Sequence, residues 1–141
     1  LQKIDTTIKI QLKLNGLNNL TLICDYEQIS RAIFNLIKNS IESIQKKALK
    51  TKIFDKIIDI EITTRKDYII IDIIDNGLGF TSKEAKEIIK PYYTTKQKGS
   101  GLGLSIVNKI INDHNGSINF NSLKDGAKIQ IILPKNINNG S

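Results

Sequence analysis

The run "IIDIEITTRKDYIIIDIID", residues 57–75, constrains the fold more than any other stretch of the chain. Two segments rich in β-branched residues flank Lys66-Asp67, and in the first of them polar and apolar positions alternate. That pattern reads as two strands joined by a two-residue hairpin turn. A lone hairpin is marginal in water, so its apolar side needs other elements against it.

The rest of the chain supplies them. "TTIKIQLKLNG" (Thr6–Gly16) alternates and reads as a strand, and "LTLIC" (Leu20–Cys24) as a second, short one. Asp25 follows as a helix N-cap, with Gln28 three residues on as its capping-box partner. The helix reads to about Lys47, with Ile29, Ile33, Leu36, Ile37, Ile41, Ile44 and Ala48 on the core stripe. "SKEAKEII" reads as a short helix capped by Ser82, and residues 90–101 as a glycine- and lysine-bearing loop. "LGLSIVNKIINDHNG" is the next helix, stopped at Asn115-Gly116. "SINFNSL" and "AKIQIIL" form a terminal hairpin around "KDG", and "NINNGS" is a frayed tail. The sum is an α/β fold: a two-layer sandwich of a mixed, mostly antiparallel sheet with about three helices on one face.

Length and composition bound the function. At 141 residues the chain suits one domain, residues 1–135, followed by a disordered tail at 136–141. Net charge is +7, but every basic residue except Arg31 and Arg65 is Lys, and the lysines are scattered. Arg leads in bidentate contacts to phosphates and bases, so a nucleic-acid partner is not expected. The single Cys24, in an apolar run, reads as a buried small hydrophobe in a reducing cytosol. No apolar run is long enough to span a membrane, and no signal peptide opens the chain. The start in mid-pattern and the absence of Met read as a piece of a longer, cytoplasmic or membrane-anchored protein.

Three constellations carry chemistry. Asn35 and Asn39, four apart, share one helix face away from the apolar stripe. They are either a polar surface or amide oxygens for Mg²⁺, a hard cation that takes oxygen ligands. Asp75 ends an apolar strand, with Gly77 and Gly79 behind it. "DNGLG" is either a turn or a carboxylate placed to accept from an exocyclic amine, with glycines admitting a flat ligand. Lys96, Gly99, Gly101 and Gly103 precede a helix whose first N–H groups favour anions. The spacing fits neither the dinucleotide fingerprint nor the P-loop.

Taken in order, "NLIKNSIES", "DNGLGF", "KPYYTTK" and "GSGLGLSIVNKIINDHNGSI" resemble the N, G1, F and G2 boxes of the Bergerat-fold ATPases. The closest likeness is to the catalytic, ATP-binding domain of sensor histidine kinases, and the "PYYTTK" lid resembles the nitrogen-regulation group. The match runs from about Thr6 to Pro134. It implies that Asn39 ligates Mg²⁺, that Asn35 is a polar contact near the phosphates, and that Asp75 reads adenine between Gly77 and Gly79. Lys96 and the backbone of Gly101, Leu102, Gly103 and Leu104 meet the phosphates, and a lid from about Ile89 to Gly101, with Tyr93, Thr94 and Gly99 in it, closes over ATP. Asn35, Asn39 and Lys96 are the catalytic candidates by this likeness.

Departures from the family pattern matter. Glu42 stands where many relatives carry a cation, unless Lys38 or Arg31 compensates, and Tyr92 and Tyr93 stand where Phe is common. Hydrolysing relatives such as gyrase carry a water-activating Glu at the position of Asn35, which cannot act as a general base. The resemblance therefore implies slow hydrolysis and transfer to a protein nucleophile. His114 ends a helix and reads as structural, so the accepting histidine belongs to an upstream dimerisation domain, and the onward partner is a response regulator. The full-length protein would be a homodimer. A serine kinase of the same fold and a docking module with a degenerate site are the competing readings.

Overall fold

The computed structural model describes residues 7–15, 24–51, 53–79 and 100–135, with residues 100–103 as backbone. Its elements in chain order are β1 (Lys9–Leu14), α1 (Tyr26–Lys50), β2 (Ile57–Thr64), β3 (Tyr68–Asp75), α2 (Ser100–Asp113), β4 (Ser117–Leu123) and β5 (Gly126–Pro134). The strand expected at residues 20–24 and the helix expected from Ser82 lie outside the described residues, apart from Cys24, which is half-buried.

The five strands form one sheet in the order β1-β2-β3-β5-β4. β1 and β2 are parallel, which requires a crossover, and α1 provides it. The other pairs are antiparallel. Lys66-Asp67 makes the expected tight turn, with the Arg65 N–H donating to the Tyr68 carbonyl at 2.8 Å. Lys124-Asp125 closes the second hairpin between the paired Leu123 and Gly126.

β3 lies at the centre of the sheet, and its alternation decides what faces the helices. Ile69, Ile71, Ile73 and Asp75 point one way, onto α1, and are buried. Ile129, Ile131 and Leu133 of β5 join them, and Val107, Ile110 and Ile111 of α2 close the layer. The opposite face is largely polar, with Asp72 held by the Gln130 amide at 3.0 Å and Lys13 3.9 Å from Glu61. No helix among the described residues is long and apolar enough to cross a membrane.

α1 begins where expected: the Asp25 carboxylate accepts from the Gln28 N–H at 3.1 Å. The reciprocal half of the capping box is replaced, because the Asp25 N–H donates to His114 Nε2 at 3.2 Å. The buried stripe is Ala32, Leu36, Ser40 and Ile44, while Ile29, Ile33, Ile37 and Ile41 are half-buried and Ala48 is exposed. The stripe is turned from the expected one because α1 packs against α2 as well as against β3. α2 ends as expected: Asn115 takes the left-handed conformation at φ 61, and the Gly116 N–H returns to the Ile111 carbonyl at 2.9 Å.

Candidate nucleotide site

Asp75 is the last residue of the central strand, paired with Ile58 on one side and Ala127 on the other. The strand's alternation turns its carboxylate toward the helices, and it is only 4% exposed. Burial raises its pKa. The Gly77 N–H opposes this, donating to Oδ1 at 2.8 Å, and so do Ser40, Lys47 and the Ala127 N–H. A buried carboxylate with acceptor capacity left at a strand end is suited to receive an amine N–H from a ligand.

The turn after it is clamped onto α1. The Leu78 N–H donates to Ser43 Oγ at 2.8 Å, and Lys47 Nζ donates to the Asn76 carbonyl at 2.9 Å while lying 4.6 Å from the centre of the Phe54 ring. Asn76 fastens the turn to the start of β2, accepting from the Ile57 N–H at 3.0 Å and donating to the Asp55 carbonyl. Gly77 is required by close approach: a Cβ there would collide with Ser43 Oγ and come within 2.9 Å of Ile44 N. Gly79 has φ +82, the left-handed region that glycine enters without cost.

Asn35, Asn39, Ser43 and Lys47 follow one another at four-residue intervals, so they line one face of α1. Ser43 and Lys47 hold the turn, and Asn39 lies one helical step, about 6 Å, before Ser43. Asn39 Nδ2 is buried without a hydrogen-bond partner. An amide left unsatisfied by the protein is a group a bound species can use. The free Nδ2 is a donor and suits an acceptor such as a phosphate oxygen, while Mg²⁺, which takes few protein ligands and completes its shell with phosphate oxygens and water, would use the oxygen of the same amide.

α2 is connected to α1 by the His114–Asp25 hydrogen bond at its C-terminal end. Fourteen residues make a helix about 21 Å long. Ser100, Gly101, Leu102 and Gly103 open it, and the first N–H groups there have no partner within the helix, whereas Leu104 is one turn in. Leu104 itself is buried in the core. Lys38 is exposed on α1. Tyr93, Thr94, Lys96 and Gly99 lie outside the described residues.

The family profile described as "Histidine kinase-, DNA gyrase B-, and HSP90-like ATPase" matches residues 24–137. The chain belongs to this ATPase family. Among curated relatives it is similar to Sporulation kinase B of Bacillus subtilis, 34% identical over 120 residues, covering 84% of this chain and 26% of that protein. It is also similar to Nitrogen regulation protein NtrY of Azorhizobium caulinodans, 35% identical over 109 residues, covering 77% of this chain and 14% of that one. The chain therefore spans about a quarter or less of these two relatives. The nucleotide-free catalytic domain of histidine kinase ThkA superposes with a TM-score of 0.78 at 26% identity, over 92% of this chain and 80% of that one. The family's two-layer sandwich is the fold described above.

Within this ATPase fold, Ser40, Ser43, Lys47 and Asn76 are site-building residues that the sequence reading passed over. The four-residue spacing that singled out Asn35 and Asn39 continues to Ser43 and Lys47, and could have found both. Asn76 gave no such signal, since "DNG" reads equally as an ordinary turn.

Proposed function

We propose that this chain is the ATP-binding catalytic domain of a protein histidine kinase of the NtrY-like group, spanning residues 1–135; the tail expected at 136–141 lies outside the described residues. It binds Mg²⁺·ATP and presents the γ-phosphoryl group to a histidine on a separate helical dimerisation domain. That domain makes the full-length protein a homodimer and passes the phosphoryl group to a response regulator. The full-length protein would act on the cytoplasmic side, with or without a membrane anchor.

The observation that carries this reading is the buried Asp75 carboxylate, fixed by Gly77 on a turn that Ser43 and Lys47 lock to the helix bearing Asn39. Asp75 would accept the adenine amine, with Gly77 and Gly79 leaving room for the flat ring. Asn39 would hold the metal, and Asn35 would lie toward the phosphates. When bound, Mg²⁺ neutralises phosphate charge. The first N–H groups of α2, with Gly101, Leu102 and Gly103, would receive phosphate oxygens, and Leu104 stands one turn behind them. Tyr93, Thr94, Lys96 and Gly99 would close over the nucleotide, with Lys38 the nearest candidate for an added positive charge. Phosphoryl transfer rests on positioning and charge neutralisation, which such a set supplies without a general base.

The test combines binding and transfer. Mg²⁺·ATP should raise the melting temperature of the chain, and Asn39→Ala should diminish the Mg²⁺-dependent part of that rise. The chain should then phosphorylate an added histidine-bearing dimerisation domain in trans but not itself. No thermal shift at millimolar ATP would favour a docking module, and phosphate on serine in place of histidine would favour a serine kinase.

A further inference from the structure

Ser40 follows Asn39 on α1, yet its side chain belongs to the buried stripe and lies beside Asp75. It is 2% exposed, and its Oγ completes no hydrogen bond. Even so, it is close enough to Asp75 to lower the pKa of that carboxyl. A serine inside a helix can settle its hydroxyl on a carbonyl one turn back. This one does not, and an unpartnered buried hydroxyl calls for a use.

We propose that Ser40 is a specificity-determining positioning residue, whose hydroxyl turns to donate to the Asp75 carboxylate and keeps it an acceptor, selecting a 6-amino purine over a 6-oxo purine. The inference rests on the nucleotide-binding reading above and extends it to the choice of base. An ionised carboxylate only accepts hydrogen bonds, whereas a protonated one also donates. A 6-amino purine offers a donor at that edge and a 6-oxo purine an acceptor. The protonation of Asp75 therefore decides which base fits.

Burial drives Asp75 toward the protonated form. The groups facing it and opposing this are Ser40 and Lys47 from α1, the Gly77 N–H from the turn and the Ala127 N–H from β5. From β2 its paired neighbour is the apolar Ile58. Two of the opposing groups are backbone. The third, Lys47, also fastens the turn through the Asn76 carbonyl. Ser40 is the one group whose removal takes away support for the charge and little else.

The experiment compares the wild-type chain with Ser40→Ala. Affinities for ATP and for inosine triphosphate are measured between pH 5 and pH 8 with Mg²⁺, together with the carboxyl ¹³C shift of Asp75 in the nucleotide-free proteins. In Ser40→Ala the ATP affinity should fall away on acidification about one pH unit earlier than in wild type, as expected for a lost hydrogen bond to a charged group. The preference for ATP over inosine triphosphate near that midpoint should drop by about tenfold, and the ¹³C titration should move with it. Ala is a strong helix former and smaller than Ser, so a melting temperature without nucleotide that matches wild type below the ordinary carboxylate pKa, where Asp75 is protonated in both proteins, confirms that the fold is intact, while at pH 7 the variant should melt lower. If wild type binds ATP but Ser40→Ala keeps the same midpoint and the same preference, Ser40 has no part in base choice. If wild type binds neither nucleotide at any pH, the nucleotide-binding reading itself falls and this inference with it.

Discussion

The Asp25 backbone N–H donates to His114 Nε2 at 3.2 Å, joining the first residue before α1 to the residue just past α2. The imidazole is 7% exposed, and its Nδ1 lies 2.8 Å from the Ile110 carbonyl. That arrangement assigns the neutral tautomer with the proton on Nδ1. Both nitrogens are therefore engaged in structure. His114→Ala should cost about 2–4 kcal/mol, from two hydrogen bonds and the cavity left behind. Urea unfolding of the nucleotide-free chain measures it, and a loss under about 1 kcal/mol would show the bridge to be dispensable. With Mg²⁺·ATP the isolated chain should carry no phosphate on His114.

Asp75→Asn should stabilise the empty protein and disable it at once. Burial raises the Asp75 pKa, so the folded chain holds that proton more tightly than the unfolded chain does. As pH rises from the ordinary carboxylate value through the raised one, stability falls, and the full penalty persists at neutral pH. The Asn variant carries no such charge. Its melting temperature without nucleotide should exceed that of wild type at pH 7, with the difference shrinking on acidification. The stabilisation from ATP, about 2.7 kcal/mol at a hundredfold excess over Kd in wild type, should vanish. A variant that melts lower than wild type at pH 7 contradicts the assignment of a strained, ionised carboxylate.

Asn35→Glu tests why the site would transfer rather than hydrolyse. The wild-type chain alone should turn over ATP slowly, because an amide cannot take a proton from water. A carboxylate at that position should raise the rate at least tenfold, within the roughly 10²–10⁴-fold that a positioned base contributes. Steady-state phosphate release reads the outcome. Rapid hydrolysis by wild type would remove the argument from this residue.

Gly77→Ala should abolish ATP-induced stabilisation and lower stability by about 1–3 kcal/mol through overpacking. The added methyl meets Ser43 Oγ, and it also meets backbone: the Ser43 carbonyl carbon at 2.8 Å and Ile44 N at 2.9 Å. Combining it with Ser43→Ala should therefore not restore binding. Recovery in the double variant, seen in a thermal-shift titration, would mean that only the side chain stands in the way.

Local signals carried much of the architecture. The Lys66-Asp67 turn, the Asp25 cap, the Asn115-Gly116 stop and the terminal hairpin all stand where their residues indicate, since each depends on neighbours a few positions away. Asn35, Asn39, Asp75 and the glycines were legible as candidates because their spacing is unusual for plain surface. The register of the core stripe on α1 was less legible. Periodicity places an apolar face, Ser40 included, but does not say how many neighbours bury its edges, and in the packed structure Ala32 lies inside and Ala48 outside.

What the sequence determined by itself is which segments become strands and helices, where they cap, and which polar residues stand in unusual places. Those follow from backbone sterics and short-range hydrogen bonding, whose reach is a turn or two. Only the tertiary structure decided that Ser40 lies beside Asp75, that Lys47 closes on Asn76, and that the Asp25 N–H goes to His114 instead of Gln28. These contacts join residues 29 to 89 positions apart, and no local pattern encodes such pairing. They form because packing two helices on one sheet buries polar groups that must then find partners across the fold.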